Sequence, residues 1–453
     1  MDYIRQNNPL SGISGPFIVN LELTGACPND CIHCYNFWRH GKGLDEAGSF
    51  SSLSLADSDK IVDVLDDLKV FTLVITGGEP LLSKEVLFHI LDRIEEKGFM
   101  TASLNSSLIG LTEDDADRLK KYDQLLNVLV SLNGSTPEMH DKISGRAGAF
   151  DETVKNIRLL VGKGIRVPIS MVVSKLNIGD IAATCRLSKE LGCSVFNATR
   201  ASAPLNCPDF GEFSLGLSDF RSYLSDLTSA GKENDIPVGS LRVYPLCAVK
   251  DTDVYASSCG RSCSAGLTNI AISPNGDVRP CAQLDEVVGN IIKEPFTDIW
   301  ESLSGWRDMK YVPQECLSCK ALSRCSGGCR AEAKAIKGAI DSPDPLMHIE
   351  DSEYALEHIK ERGYEKNRPN PVLISRVNPD FRAKKEVVGY VVFGYGRLVC
   401  SLDNRTGRTF FTEEGMPVLR HLDLGKLNAA FGTEFVSDVF GRRVLIPVSD
   451  KDV

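Results

Sequence analysis

The chain of 453 residues lacks any long apolar run. Its amino-terminal segment, MDYIRQNNPLSGISGPFIVN, contains neither the apolar stretch of a secretory signal nor a segment long enough to cross a bilayer. An excess of positive charge is also missing, since the formal net charge is -10 and the basic residues are scattered. That balance argues against a nucleic-acid footprint. We therefore expect a globular, cytoplasmic protein of two or three domains, with no nucleic-acid partner and no membrane contact.

Cysteine, by contrast, is abundant, with 15 residues. In a chain without a secretory signal they do not predict a disulfide framework, because a reducing cytosol keeps thiols free. Most of them fall into three short, regularly spaced groups, which favours metal or cluster ligation. The remaining cysteines are solitary, and we interpret them as small buried hydrophobic residues. These are Cys185, Cys193, Cys207, Cys247 and Cys400.

Short apolar runs alternate with longer amphipathic runs from about Phe17 to Arg200. This alternation predicts repeated βα units around a parallel sheet, an α/β fold with a partial (β/α)6 TIM-like barrel. The expected strands are FIVNLELT, FTLVIT, MTASLN, NVLVSLN, RVPISMVV and SVFNATR. In such a barrel the functional site lies at the carboxyl ends of the strands.

Composition changes after this region and predicts three domains, 1–234, 235–350 and 351–453. The second is rich in Cys, Gly, Ser and Pro, and it has too little apolar content to hold together without metal. The third follows a linker containing NRPNP and combines two apolar runs with short helical patterns. We expect it to be a small α+β, winged-helix-like module.

The first cysteine group, CPNDCIHC, contains Cys27, Cys31 and Cys34 and directly follows the first expected strand. Three thiolates on a short loop can hold three irons of a cubane and leave the fourth iron open to chelate a ligand. A zinc site is the alternative, although zinc prefers four ligands in paired groups.

The spacing Cys-x3-Cys-x-aromatic-Cys, with His33 in the aromatic position, resembles the radical S-adenosylmethionine (radical SAM) superfamily. The resemblance implies a 4Fe–4S cluster whose open iron binds S-adenosylmethionine, and a 5′-deoxyadenosyl radical that removes a hydrogen atom from the substrate. It makes Cys27, Cys31 and Cys34 the cluster ligands and the catalytic centre. It also implies a reductant such as ferredoxin or flavodoxin.

Further cofactor-binding residues follow from the same resemblance. TGGEP stands directly after the second strand, where Gly77 and Gly78 allow close approach of the backbone and Glu79 can accept from an ammonium group. The loop is expected to bind the methionine amino group. Weaker matches, for the ribose and carboxylate of the cofactor, are Asn105, Ser131 and Arg146. A capped turn and a surface salt bridge are the alternatives for these positions.

A second cysteine array has the spacing Cys-x2-Cys-x5-Cys-x3-Cys, which is a strong metal signal with a zinc ribbon as the alternative. Together with upstream cysteines it resembles the SPASM extension of radical SAM enzymes, which implies one or two auxiliary 4Fe–4S clusters. The first would take Cys259, Cys263, Cys281 and Cys329, and the second would take Cys316, Cys319 and Cys325.

The final cysteine of the SPASM pattern is missing, and Met347 or His348 occupies its place. His348, Asp344 or Cys400 could supply the fourth ligand, or the iron could be open and hold a substrate thiolate. Another departure is Ala282, since sulfatase-maturing enzymes carry an Asp after the corresponding cysteine. That difference disfavours a sulfatase maturase.

The carboxyl-terminal module resembles PqqD-like peptide-recognition domains, on the order of its elements and the turn SLDNRTG. A small sheet with an exposed edge can take a leader peptide as an added strand, although a structural cap or dimer element is the alternative. The resemblance implies a maturase that installs a thioether or carbon–carbon cross-link in a ribosomally made precursor peptide. A peptide epimerase, or an enzyme acting on a protein or small molecule, remains open, as does a non-catalytic iron–sulfur carrier.

Overall fold

A computed structural model describes residues 15–361 except 17, 37–51, 69, 71, 98, 99, 206, 207 and 260. It also describes the residue pairs 399–400 and 409–410. Within this part of the chain, no helix is long and apolar enough to cross a membrane.

The described residues form one ten-stranded sheet and one two-stranded sheet. The strands are β1 Ile18–Glu22, β2 Thr72–Thr76, β3 Thr101–Ser106, β4 Leu125–Ser131, β5 Pro168–Val173, β6 Val195–Arg200, β7 Val238–Gly239, β8 Asn269–Ile272, β9 Asp277–Arg279, β10 Gly289–Asn290, β11 Val399–Cys400 and β12 Thr409–Phe410. Strands β1 to β6 lie side by side in chain order, and each pairs in parallel with the next. The predicted α/β partial barrel is therefore confirmed, and every expected strand is present.

Helices connect these strands. They are α1 Leu55–Asp67, α2 Lys84–Lys97, α3 Glu113–Leu119, α4 Pro137–Ser144, α5 Ala149–Gly162, α6 Ile181–Glu190, α7 Leu217–Glu233, α8 Leu246–Val249, α9 Ala256–Cys259, α10 Phe296–Ser302, α11 Ser304–Arg307, α12 Leu322–Cys325, α13 Arg330–Lys337 and α14 Ser352–Glu361. Helix α3 begins with a capping box, because the Thr112 side chain accepts from the Asp115 N–H while Asp115 accepts from Thr112. Short 3₁₀ turns cover Pro80–Ser83, Ile178–Asp180, Pro208–Phe213, Gln314–Cys316 and Ile349–Asp351.

The sheet continues beyond the predicted first domain. Strand β7 pairs in parallel with β6, and β8 pairs in parallel with β1, so that Ile18 lies opposite Asn269. Strands β9 and β10 extend this edge as an antiparallel meander. The cysteine-rich region thus adds strands to the barrel sheet at its β1 edge. The boundary between 234 and 235 stays a prediction.

The core is continuous across this sheet and the helices that cover it. Val19, Leu21, Leu73 and Ile75 are fully buried, as expected for strands of a covered parallel sheet. Residues from the cysteine-rich region, including Trp300, join the same core. Part of that region therefore has more apolar support than its composition suggested.

In the predicted carboxyl-terminal domain, the structure describes helix α14 and the antiparallel pair of β11 and β12, with Val399 opposite Phe410. The prediction of a winged-helix-like, PqqD-like module otherwise lies outside the described residues. So does the solitary Cys207.

Candidate active site and cysteine arrays

The first cysteine loop follows β1 and rests on the carboxyl end of helix α4. The backbone N–H of Asp30 donates to Ser144 at 2.7 Å, and that of Ile32 donates to the carbonyl of Ile143 at 3.1 Å. Gly145 ends α4 with a φ of +66°, and a Cβ there would overlap the backbone of Asp30. Cys27, Cys31 and Cys34 are all partly buried. Helix α4 was not predicted from the sequence, yet it supports the loop.

The TGGEP loop lies directly against the residues that precede Cys27. The Gly78 N–H donates to the Thr24 carbonyl at 2.6 Å, and the Glu79 N–H donates to the Ala26 carbonyl at 2.9 Å. Gly77 has a φ of +133°, and a Cβ on it would stand 2.7 Å from the Thr24 carbonyl oxygen. A Cβ on Gly78 would overlap the backbone of Ala26. Both glycines are therefore required for the close contact between the two loops.

Glu79 is buried and its carboxylate is surrounded by donors from the protein. Oε1 accepts from the Ser106 hydroxyl at 2.6 Å and from the Leu81 N–H at 3.1 Å. Oε2 accepts from the N–H and the hydroxyl of Ser107, at 2.8 and 2.5 Å. Burial raises the pKa of Glu79, although these hydrogen bonds oppose the shift. The carboxylate thus ties the TGGEP loop to the end of β3, and its role as an ammonium acceptor stays a prediction.

The weaker cofactor candidates lie at the same edge of the sheet. Asn105 is partly buried near the end of β3, and Ser131 is exposed at the end of the neighbouring β4. Arg146 is partly exposed after α4, and its Nη2 lies 3.4 Å from Oε2 of Glu152. The structure therefore brings these side chains to the edge that carries the cysteine loop, and their contacts with a cofactor stay predictions.

A buried polar group that the sequence did not indicate supports this edge. The N–H of Asn133, just after β4, donates to Nδ1 of His140 at 3.0 Å, and its side chain accepts from the Val172 N–H at 2.9 Å. Burial lowers the pKa of His140 to about 4, so the ring is neutral at pH 7 and can accept. Burial also lowers the pKa of His33 to about 4, and the neighbouring His140 adds to that shift. His140 on α4 therefore lies close enough to His33 on the cysteine loop to affect its charge.

Three cysteines assigned to the first auxiliary cluster lie near one another. Burial, together with the adjacent thiols of Cys329 and Cys263, raises the pKa of Cys281 to about 12. Cys263 accepts from the backbone N–H groups of Ala265 and Arg330. Such N–H donors suit a cluster thiolate. Cys259, the fourth expected ligand, is buried in α9, and its Sγ donates to the Tyr255 carbonyl at 2.8 Å.

A buried charge network surrounds Cys329. Glu332 on α13 accepts from Arg200 at 3.0 Å and from Arg242 at 2.7 Å, and all three residues are buried. Burial alone would raise the pKa of Glu332, but the two arginines outweigh it and the net shift is downward. Arg242 also donates to Sγ of Cys329 at 3.3 Å. Since Arg200 is the last residue of β6, the network holds α13 against the carboxyl edge of the barrel.

The second group gathers Cys316, Cys319 and Cys325 around one cavity, and Cys247 lines the same cavity. Burial raises the pKa of Cys247 to about 12, and the nearby thiols of the other three cysteines add to the shift. The sequence interpretation treated Cys247 as an isolated core residue and did not predict that it lies beside the other three cysteines. No spacing signal in the sequence indicated Cys247, because this residue lies far upstream of the array that begins at Cys316.

Two of the other candidates for the fourth ligand have other partners, and the side chain of Cys400 lies outside the described residues. The His348 ring lies 3.3 Å from Asp351 and 3.5 Å from Glu350, and only the backbone of His348 reaches this group. Asp344 accepts from the N–H groups of Cys329 and Leu346. It therefore closes the loop that carries Cys329.

Among the residues that the structure describes, no three His, Cys, Asp or Glu side chains converge where they could hold a single metal ion. A cubane differs in this respect, since each thiolate binds its own iron and the sulfur atoms stand apart by the width of the cluster.

Comparison with known families assigns both cysteine regions. Residues 21–188 match the Radical SAM superfamily, and residues 263–326 match SPASM, an iron-sulfur cluster-binding domain. The chain is therefore an enzyme of the radical SAM superfamily that carries a SPASM domain. Its radical SAM domain binds a 4Fe–4S cluster and S-adenosylmethionine, and its SPASM domain binds auxiliary iron–sulfur clusters. The expected family, enzyme class and cofactors are confirmed, while the individual ligands stay predictions.

Three known proteins show how far the similarity extends. The AdoMet-dependent heme synthase of Methanosarcina barkeri is 26% identical over 347 residues, which cover 73% of this chain and 96% of that protein. The PqqA peptide cyclase of Ruegeria pomeroyi is 28% identical over 356 residues, which cover 75% of this chain and 88% of the cyclase. The crystal structure of Streptococcus suis SuiB bound to precursor peptide SuiA has the same fold. Its TM-score is 0.59 at 18% identity, and the match covers 76% of this chain and 77% of SuiB.

Proposed function

We propose that this enzyme installs a cross-link, either a thioether or a carbon–carbon bond, in a ribosomally made precursor peptide. The observation that carries the proposal is the contact between Arg200, at the end of β6, and Glu332, just after Cys329. The Cys27 loop follows β1 at the same edge of the sheet. Both cluster-binding regions therefore border the edge at which barrel enzymes hold their substrates.

This arrangement suits an oxidative closure. When bound, S-adenosylmethionine and its cluster supply a 5′-deoxyadenosyl radical that takes one hydrogen atom from the substrate. A cross-link removes a second hydrogen from the peptide, as a proton and an electron. The electron needs an acceptor near the bound peptide, and an auxiliary cluster of the SPASM domain would supply one.

The residues of the barrel edge have supporting roles. The exposed Ser131 and the partly exposed Arg146 are available to orient the ribose and the carboxylate of the cofactor. Glu79, Ser106 and Ser107 fix the shape of the loop that approaches its amino group. A ferredoxin or flavodoxin is the expected reductant.

The relatives favour a peptide substrate. One is by name a peptide cyclase, and SuiB was crystallised with a precursor peptide. A leader peptide would be held by residues 351–453, which are mostly outside the described part of the chain. The relation to a heme synthase favours a small-molecule substrate instead, and epimerisation of a peptide residue is a further alternative.

Co-expression under anaerobic conditions with each short peptide encoded beside the gene tests the proposal. We expect mass spectrometry to show the loss of two hydrogen atoms from one peptide, with fragmentation blocked between the joined residues. The matched control is Cys31→Ala, which should leave that peptide unmodified. An epimerase would instead leave the mass unchanged in ordinary water and add deuterium in heavy water. Peptides unchanged in both solvents would contradict a peptide-modifying function.

A further inference from the structure

The second auxiliary group contains one cysteine that is not part of the SPASM pattern. Cys247 lines a cavity together with Cys316, Cys319, Cys325 and Met347. Its exposed fraction is 6%, similar to the 6% of Cys316 and the 9% of Cys325. Four thiols from two distant segments therefore share one buried space, in the half of the SPASM domain whose pattern lacks its final cysteine.

Backbone hydrogen bonds hold Cys247 in this space. It lies in the short helix α8, which begins after Pro245. The Leu246 N–H, one residue earlier, donates to Sγ of Cys325 at 3.3 Å across 79 residues of sequence. The His348 N–H donates to Sγ of Cys247 at 3.4 Å across 101 residues. Both sulfur atoms thus accept from backbone N–H groups, as cluster thiolates do.

The alternatives are weaker ligands or face away. Met347 places Sδ 3.6 Å from Sγ of Cys316, but its thioether is neutral, and clusters are held by thiolates. The His348 ring is directed at Asp351, and both carboxylate oxygens of Asp344 accept backbone N–H groups.

We propose that Cys247 is the fourth protein ligand of the second auxiliary cluster, together with Cys316, Cys319 and Cys325. An upstream cysteine then replaces the carboxyl-terminal one that the pattern lacks. This cluster would be closed by four thiolates, which leaves no vacant iron for a substrate thiolate. The inference rests on the SPASM domain and not on a peptide substrate, so it can hold even if the precursor-peptide experiment fails.

The test counts iron in the full chain, reconstituted anaerobically, with Cys27, Cys31 and Cys34 all replaced by Ala so that only auxiliary clusters remain. About eight iron atoms per chain are expected in this background. Adding Cys247→Ala should give one of two results. Either about one iron is lost and the paramagnetic resonance of an oxidised three-iron cluster appears, or about four irons are lost together with one reduced-cluster signal. The matched control is Cys193→Ala, a buried solitary cysteine of the barrel, which should change neither iron nor spectrum.

Two further variants, Met347→Leu and His348→Gln, separate the ligand candidates. Both should keep the full iron content. Iron loss in either of them while Cys247→Ala stays intact would overturn the proposal, and so would an unchanged iron content and spectrum in Cys247→Ala. If Cys247→Ala fails to fold, Cys247→Ser decides. A serine ligand should retain the iron and lower the midpoint potential of one cluster, whereas an unaltered potential and spectrum would refute the assignment.

Discussion

Arg242 donates to Sγ of Cys329 at 3.3 Å, and the same nitrogen lies 2.7 Å from Oε2 of Glu332. The guanidinium is buried at 6% exposure. A charged donor at a ligand sulfur stabilises the more negative, reduced form of a cluster and so raises its midpoint potential. Because Cys329 is a predicted ligand of the first auxiliary cluster, we expect Arg242 to influence the potential of that cluster through this contact.

Replacing Arg242 by Gln should therefore lower the midpoint potential of one auxiliary cluster. A redox titration followed by paramagnetic resonance measures the shift. The matched control is Arg118→Gln, which removes an arginine that pairs with Asp92 at the surface and should leave all potentials unchanged. An unshifted potential in Arg242→Gln, with full iron content, would contradict the role of this hydrogen bond.

The buried ion pair between Glu22 on β1 and Arg279 on β9 joins the barrel to the SPASM region. Nη2 and Oε2 lie 2.6 Å apart, and both side chains are almost fully buried. Removing one partner of such a pair typically costs about 3 to 5 kcal/mol, because a buried charge is left behind. We expect Arg279→Met to lower the free energy of unfolding by that amount in a denaturant titration.

A double variant separates the destabilisation caused by an unpaired buried charge from the destabilisation caused by lost packing. Replacing both residues, as Glu22→Met with Arg279→Met, should be less destabilising than Arg279→Met alone, since no uncompensated charge remains. At the exposed pair of Arg118 and Asp92, Arg118→Met should cost less than about 1 kcal/mol. Equal losses in the buried and the exposed single variants would argue against this account.

Removal of iron should destabilise the region around the second auxiliary group more than the barrel. Among the residues that the structure describes around the second auxiliary group, the apolar cluster consists of Leu246, Ala321, Cys325 and Ala355, with Cys319 packed against it. So small a core depends on its metal for stability. After chelation, hydrogen exchange should accelerate over residues 313–328 and remain slow in β3 and β4. Uniform acceleration of both regions would contradict this dependence.

Much of this arrangement was visible in the sequence, because its signals are local. The strand pattern identified each strand of the barrel, and the spacing of Cys27, Cys31 and Cys34 identified the first cluster loop. Cys247 could not be found in this way, since tertiary packing brings it to the cysteine array: its neighbour Leu246 donates to Cys325 across 79 residues. The role of Arg242 depends on the same kind of long-range contact.

The sequence also did not indicate which element supports the cysteine loop. Helix α4 is only eight residues long, and its segment, PEMHDKIS, contains only two apolar residues, Met139 and Ile143. What makes it essential is its end at Gly145, whose missing side chain admits the backbone of Asp30. A glycine in a polar segment predicts a turn but does not indicate which loop will approach it.

The last prediction concerns the contact between Gly78 and the residue before Cys27. A Cβ at position 78 would overlap the backbone of Ala26. The Ala26 backbone would have to shift, and the cysteine loop that follows it would shift as well. Gly78→Ala should therefore weaken S-adenosylmethionine binding at least tenfold, about 1.4 kcal/mol, and lower the iron content of the first cluster. Equilibrium binding and iron analysis measure both effects.

The matched control is Gly162→Ala at the end of α5, where a Cβ would meet nothing within 4 Å. Because glycine in a helix costs about 0.5–1 kcal/mol relative to alanine, this change should leave cofactor binding unaltered and slightly raise stability. Wild-type affinity in Gly78→Ala would mean that the two loops can separate without loss of the site. The close contact of the TGGEP loop with Ala26 would then be a matter of packing alone, and the cysteine loop would be positioned by α4.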